Sequence, residues 1–125
     1  MVETPALQLN ALLVGLEPSL SAELGRALAD QSVRALAEGE LEPEGTRVDI
    51  VFAPSDPSTF GAVKDTLRET CPAAPIVVVS RVPEVSEWLD AMEAGASDYC
   101  AAPFERTQLR WLLETNLHRF ASAAA

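Results

Sequence analysis

The sequence predicts a three-layer α/β fold, in which a parallel sheet of five strands lies between two layers of helices. The clearest strand is 76–80, IVVVS, whose β-branched residues are apolar on both faces, as in a strand buried inside a parallel sheet. Segments 10–14 and 48–53 have the same character, and amphipathic helix patterns separate the strands. Right-handed crossovers between parallel strands place helices on both faces, so this alternation implies a doubly wound sheet.

Length and charge limit the function classes open to this chain. Its 125 residues are the size of one domain, and we expect a single domain over 1–125 with its core in 10–118. The formal charge of −10 repels phosphate backbones and anionic lipids, so we expect no nucleic-acid or membrane partner. Cys71 and Cys100 form no metal-binding spacing, and there is neither a basic signal segment nor an apolar run of about 20 residues. We therefore predict a cytoplasmic protein with reduced thiols.

The first part of the chain has the pattern strand, helix, strand. Residues 1–8 form a loose leader, strand 10–14 stops at Gly15, and Pro18 opens the first helix. The apolar residues on one face of that helix are Leu20, Leu24, Ala27 and Leu28. The second strand is predicted at 32–36.

Residues 38–47, EGELEPEGTR, are unusual at the place where a crossover helix should return the chain to the third strand. The segment has two glycines, one proline and four glutamates, and glycine and proline disfavour a helix interior. We predict that this helix is very short or replaced by a loop.

The middle of the chain predicts a strand and a capped helix. Strand 48–53 leads into a loop over 54–58, which caps the next helix through Asp56 or Ser58, and the helix runs to about Thr70. The residues of this helix predicted to face the core are Phe60, Val63 and Leu67.

The last part of the chain predicts two helices around a short strand. Pro83 fits the first turn of a helix that ends at Gly95, strand 98–101 follows, and residues 102–104 turn the chain into the last helix. The residues predicted to face the core are Val85, Leu89 and Met92 on the first of these helices and Leu109, Leu113 and Leu117 on the second.

Three features of this second half resemble the receiver domain of bacterial response regulators: Ser80, the passage AGASDY over 94–99, and APF over 102–104. In that family a Thr or Ser closes strand 4, Gly-Ala-x-x-Tyr/Phe leads into strand 5, and a Lys-Pro-Phe turn follows. The resemblance covers residues 10–118 and implies a flavodoxin-like sheet with strand order 2-1-3-4-5. It also implies a role in phosphorelay signalling, although Ala102 stands where the family has Lys.

The resemblance implies a phosphorylation pocket at the carboxyl ends of the strands. A receiver accepts a phosphoryl group on an Asp that ends strand 3, and acidic residues after strand 1 hold Mg²⁺, while Thr or Ser and Lys contact the phosphoryl oxygens. The matching positions here are Gly15, Leu16, Glu17, Pro54 (Ala53 in a register shifted by one), Ser80 and Ala102. We therefore predict a degenerate pocket with no catalytic residue, metal or cofactor. The protein would be a non-enzymatic, atypical receiver that acts by phosphorylation-independent protein contact.

Several residues of this region have two interpretations. Asp56 is either a displaced phosphoacceptor or a helix cap, and we expect the cap. Arg81 either pairs with Glu17 across the pocket or is a solvated loop residue, and we expect the solvated residue. We expect the Ser80 hydroxyl to bond to backbone.

A different class of function is also open, because the vacated pocket is more apolar than that of a receiver. Leu16, Pro54 and Ser80 would then hold a small molecule, and the chain would be a ligand-sensing pseudo-receiver.

An interaction face is predicted on the side formed by the last two helices and the last strand. If Leu89 faces the core, Trp88 points outward, and Trp111 does the same on the last helix; Tyr99 and Leu112 would complete an exposed aromatic patch. Tyr99 also matches the family's switch aromatic. In receivers this side mediates dimerisation or effector docking, so the expected partner is a sensor kinase, another regulator or a second copy of the chain.

Overall fold

The computed structural model describes residues 9–37, 47–70, 74–82 and 84–117. Its strands are β1 Leu9–Leu13, β2 Val33–Ala37, β3 Ile50–Pro54, β4 Ile76–Ser80 and β5 Asp98–Ala101. Its helices are α1 Pro18–Asp30, α2 Pro57–Thr70, α3 Val85–Glu93 and α4 Arg106–Asn116. Four features of the prediction lie outside the described residues: the leader, Cys71, Pro83, and all but the last residue of segment 38–47, where we predict a very short helix or a loop.

All five strands are parallel, in the order β2-β1-β3-β4-β5, which confirms the predicted flavodoxin-like sheet. Every residue of β1 is buried, as expected for a strand covered on both faces, whereas the edge strand β2 has exposed residues at Arg34 and Ala37. This topology determines where a ligand site would lie. The carboxyl ends of all the strands meet at one edge of the sheet, where a ligand site of this topology is found.

Two apolar layers hold the helices against the sheet. On one face α1 and α4 pack against the strands through Leu24, Leu28, Leu109 and Leu113. On the other face α2 and α3 contribute Phe60, Val63, Leu67 and Ala91. The predicted core residues of α1, α2 and α4 are confirmed, apart from Ala27, which is partly buried.

Strand and helix ends follow local backbone chemistry. Pro18 is the first residue of α1, and Gly95 follows α3 with φ of 116°, a left-handed conformation that suits glycine. β3 extends one residue further than predicted, to Pro54, which pairs with Val79 of β4. The β1–β3 pairing ends at Phe52, so the N–H that Pro54 lacks interrupts no rung on that side.

The orientation of α3 differs from the prediction. Val85 is 66% exposed, Leu89 60% and Met92 39%, so the stripe expected to face the core faces outward. The buried positions are Ala91 and, in part, Trp88, three residues apart on the side of the helix next to that stripe. Two sets of apolar residues on this helix could have faced the core: Val85 with Leu89 and Met92, or Trp88 with Ala91. Burying the indole removes more apolar surface from water than burying Leu or Met, and small Ala91 lets the helix approach the sheet.

Candidate functional site

The strand-end site consists of Gly15, Leu16, Glu17, Pro54, Ser80 and Ala102. Gly15 has φ of 71°, and a Cβ placed on it would lie 3.4 Å from the ring carbons of Pro54. Ala102 N–H donates to the Ser80 carbonyl at 3.0 Å, which joins the ends of β4 and β5. Leu16 and Ala102 pack against the core layer of α1 and α4. The fold thus brings the predicted positions to one edge of the sheet.

Pro54 is the residue at the carboxyl end of β3, in the centre of this edge. Its ring lies against Gly15, which leaves little room between the ends of β1 and β3. A pyrrolidine ring has no nucleophilic atom and no metal ligand. The side chain at this position therefore cannot take a phosphoryl group or coordinate a cation.

Arg81 joins the loop after β4 to the first turns of α1, in a group of contacts that we call the Arg81 latch. Its Nε lies 3.0 Å from Glu17 Oε1, its Nη1 lies 2.8 Å from Glu23 Oε2, and its Nη2 donates to Ser19 Oγ at 2.9 Å. The expectation of a solvated arginine was wrong. A guanidinium presents several donors in one plane, so it can engage two carboxylates and a hydroxyl at once.

The latch changes the electrostatics of Glu17. Hydrogen bonds from Ser19 and from Arg81 hold the pKa of the Glu17 carboxyl below its usual range. The negative charge near the end of β1 is therefore balanced by a side chain of the same molecule. Among the described residues no group of His, Cys, Asp and Glu side chains is arranged to hold a metal ion.

Asp56 is a helix cap. Its Oδ2 accepts hydrogen bonds from the backbone N–H and the hydroxyl of Thr59, both at 3.0 Å, and these bonds lower the pKa of the carboxyl. Asp56 precedes α2 and is exposed. The carboxylate already accepts these bonds at the helix start, which supports the cap and leaves the idea of a displaced phosphoacceptor without structural support.

The Ser80 hydroxyl differs from its prediction. Its Oγ is buried and has no hydrogen-bond partner among the described residues, where a bond to backbone was expected. The backbone carbonyl of Ser80 is used by Ala102, and the strand ladders occupy the neighbouring backbone groups. A buried hydroxyl without a partner costs free energy, so this atom marks a place where a polar group would be stabilised.

The predicted aromatic residues have different environments. Trp88 is half-buried and stacks on Tyr99, with ring centroids 3.7 Å apart and planes inclined by 23°, so the expectation that it points outward was wrong. Trp111 is 66% exposed, as predicted, and Tyr99 is 39% exposed. Leu112 is only 4% exposed, because α4 presents Leu109, Leu112 and Leu113 together to the core. Leu112 therefore cannot be part of an exposed patch.

The large apolar side chains that are exposed in the described structure lie just before α3, on α3, on β5 and on α4. They are Val82, Val85, Leu89, Met92, Tyr99 and Trp111. We call this surface the α3–β5–α4 face. A groove of about 630 Å³ lies at β5, and its lining includes Trp88, Tyr99, Ala101, Leu109 and Trp111.

Comparison with known proteins identifies the architecture but no close relative. No protein-family model matches the chain, and no curated protein matches it. Among solved structures, a response regulator from Thermotoga maritima is similar at 18% identity with a TM-score of 0.70, covering 89% of this chain and 98% of that one. The NtrC4 receiver domain, solved as a beryllofluoride-activated dimer, matches at 15% identity and a TM-score of 0.67, covering 89% and 98%. The chain has the receiver-domain fold.

A candidate pilus assembly-related protein from Burkholderia pseudomallei also has this fold. It is 21% identical to the present chain, with a TM-score of 0.69, and the match covers 90% of this chain and 92% of that one. Identities in this range establish the shared receiver fold and leave the chemistry to be argued from the residues of this chain.

Within the receiver fold, sequence reasoning missed two groups of residues. Ser19 and Glu23 complete the Arg81 latch, but Arg81 lies 64 residues from Glu17 along the chain, so no local spacing indicates the contact. The apolar stripe of α3 was recognised as a stripe and assigned to the core. The acidic residues of this helix do not indicate its orientation, because Glu84 and Glu87 lie four residues before Trp88 and Ala91 and so share their side of the helix.

Proposed function

We propose that this chain is an atypical receiver domain in phosphorelay-type signal transduction, which acts by protein–protein contact and accepts no phosphoryl group. The observation that carries the proposal is Pro54 at the end of β3, with its ring against Gly15. A phosphoryl acceptor requires a nucleophilic side chain, and the nearest described carboxylate along the chain, Asp56, caps α2. The domain is proposed to have no enzymatic activity.

The Arg81 latch supports the same proposal. Phosphoryl transfer to a carboxylate needs a cation that neutralises the transferring oxygens. Here the carboxylates of Glu17 and Glu23 bind an arginine of the same chain, which is a fixed cation and carries no exchangeable ligand positions. Mg²⁺ is usually held by one or two carboxylates together with phosphate oxygens, and it would have to displace the guanidinium to reach these groups.

The output surface in this proposal is the α3–β5–α4 face. Its exposed apolar side chains include Leu89 at 60% and Trp111 at 66%, and such clusters mark protein contacts. The partner would be a sensor kinase, another regulator or a second copy of the chain. We propose that this binding takes place in the cytoplasm. Tyr99 is proposed to be held by its stack on Trp88.

Intact-protein mass spectrometry after incubation with Mg²⁺ and acetyl phosphate tests the proposal. We expect the mass to remain that of the unmodified chain. The matched control is Asp56→Asn, which removes the carboxylate nearest to the end of β3 along the chain. A phosphoryl adduct on the wild type that disappears in this variant would contradict the proposal and make Asp56 the acceptor.

The unpaired hydroxyl of Ser80 favours one second candidate, a ligand-sensing pseudo-receiver that binds a small polar molecule at Leu16, Pro54 and Ser80. Such a ligand would supply the hydrogen bond that Oγ lacks. Thermal-shift screening of small metabolites, repeated on Ser80→Ala, tests this candidate. A stabilising shift on the wild type that is lost in the variant is the expected result, and no shift with any compound would contradict it.

A further inference from the structure

The α3–β5–α4 face has an unusual combination of exposed apolar side chains and one sign of charge. On α3, Val85, Leu89 and Met92 recur at i, i+4 and i+7 and are all exposed, with Val82 exposed just before the helix. This spacing forms a continuous apolar ridge along a helix. Exposing apolar side chains to water is unfavourable in free energy, and a bound partner that covers the ridge would remove this penalty.

The charges within this segment are mostly negative. Two cations lie at the ends of the ridge: Arg81 precedes Val82 and is bound to Glu17 and Glu23, and Lys64 donates to the Ala94 carbonyl. Residues 84–117 contain seven Asp and Glu and only two Arg, and the segment 84–93 contains four acids and no base. One of the two arginines, Arg110, pairs with Glu114 of the same helix at 3.2 Å. Among the described residues that line the groove beside β5 there are two carboxylates, Asp98 and Glu105, and no Lys or Arg.

From this combination we propose that the α3–β5–α4 face docks a cationic amphipathic helix of a partner protein, with apolar side chains in the groove and Lys or Arg beside Glu93, Asp98 and Glu105. The inference rests on the proposed function and names the chemistry of its partner. Helix-in-groove recognition uses anchors at i, i+3, i+4 and i+7 of the bound helix, and the groove beside β5 would receive those anchors. The exposed Trp111 and Tyr99 add aromatic faces, to which a cation is also attracted.

Charge decides between this occupant and two others. In a symmetric dimer the same patch lies on both sides of the interface, so the acidic α3 of one copy would contribute to an acidic surface on the other. An anionic lipid surface would be repelled in the same way. A basic helix gains from both features of the face, because it covers the apolar ridge and places positive charges beside carboxylates that have no cation in the groove.

The test uses the whole chain and two synthetic peptides of about 16 residues, a length at which helices become appreciable. One peptide has Leu at i, i+3, i+4 and i+7 with Lys at the solvent-facing positions, and the matched control has Glu in place of every Lys. Binding is measured by fluorescence anisotropy of the labelled peptide at low and at high salt. We expect saturable binding of the Lys peptide that weakens as salt rises, and at least about tenfold weaker binding of the Glu peptide.

Variants of the protein locate the site. Leu89→Ser and Trp111→Ala replace exposed side chains and should leave the fold intact. Each should lower the affinity for the Lys peptide by about tenfold or more. The double variant Glu93→Gln, Glu105→Gln should lower the affinity for the Lys peptide mainly at low salt. Asp65→Asn makes the same kind of charge change on α2, outside the groove lining, and should leave the affinity unchanged.

Three results would overturn the proposal: no saturable binding of either peptide, equal binding of both, or binding unaffected by Leu89→Ser and Trp111→Ala. A homodimer in sedimentation velocity that dissociates in Trp111→Ala, without preference for the Lys peptide, would also overturn it and assign the face to a second copy. None of these results bears on whether the chain accepts a phosphoryl group, because that is read separately from the mass after acetyl phosphate treatment.

Discussion

The strand-end site and the α3–β5–α4 face differ in whether their side chains are paired and packed within the chain or exposed to solvent. At the strand ends Glu17 and Glu23 bind Arg81, and the ring of Pro54 lies against Gly15. On the α3–β5–α4 face, Leu89 and Trp111 remain largely exposed. The region where a receiver performs its chemistry has thus become internally paired, while the outer face retains apolar surface that folding does not bury. This contrast supports the proposal that the domain acts by binding a partner protein, and it argues against phosphorylation of the domain.

The two tryptophans provide the largest expected difference between buried and exposed parts of the face. Trp88→Ala should lower the free energy of unfolding by about 2 to 3 kcal/mol, because it removes the stack on Tyr99 and contacts with the core layer of α2 and α3. Trp111→Ala should change it by less than about 0.5 kcal/mol, because that indole is exposed. Urea unfolding of both variants measures the difference, and equal losses would contradict the assigned environments.

The close packing of the strand-end site can be tested at Gly15. Gly15→Ala should cost about 1 to 2 kcal/mol, because φ of 71° places the residue in the left-handed region. The matched control is Gly61→Ala on α2, where an added Cβ meets nothing within 4 Å. That change should stabilise the chain by about 0.5 to 1 kcal/mol, since alanine is the better helix former. If both variants had the same stability, the left-handed conformation of Gly15 would be refuted.

The Arg81 latch should control local opening more than global stability. Arg81→Ala should raise hydrogen exchange several-fold in the loop after β4, while the urea midpoint changes little, since the paired side chains are exposed to solvent. Arg110→Ala removes the pair with Glu114 within α4 and serves as the control. It should leave exchange in the loop after β4 unchanged. Unaltered exchange in Arg81→Ala would show that the latch does not hold the loop.

The smallest expected effect is a pH dependence of the latch. The folded pKa of Glu17 is lowered, so its contribution is fully present above the usual glutamate pKa and is lost as pH falls through the lowered value. Titration of the Glu17 carboxyl carbon by NMR measures this. In Arg81→Ala the pKa should rise toward the usual value, and it should rise further in a variant that also carries Ser19→Ala. A Glu17 that titrates identically with and without Arg81 would contradict the pairing.

The strands and three of the helix faces could be predicted from the sequence, because their patterns are unambiguous. The continuous apolar run of β4 is short and rich in β-branched residues, which favours a buried strand, and Leu109 with Leu113 indicates the core face of α4. The motif AGASDY located the turn at Gly95 and the strand that follows it. The absence of an acidic residue at the end of β3 is likewise visible in the sequence.

The orientation of α3 and the latch could not be predicted, for different physical reasons. α3 has two competing apolar stripes, and the choice depends on how much area Trp88 and Ala91 bury against the sheet, which is a tertiary quantity. The latch joins Arg81 to α1 across the sheet edge, so no sequence spacing reports it. The sequence predicts Leu112 in the exposed patch, yet the core face of α4 is wide enough to include it.

The most direct test of the central claim is NMR of uniformly ¹⁵N-labelled protein titrated with Mg²⁺ and beryllofluoride, which together mimic a bound phosphoryl group and its cation. If the strand-end site is closed by Pro54 and the Arg81 latch, the amide signals of Gly15, Ser80 and Ala102 should not move with concentration. Saturable shifts at these amides would contradict the account and show a site that still takes a phosphoryl group and its cation.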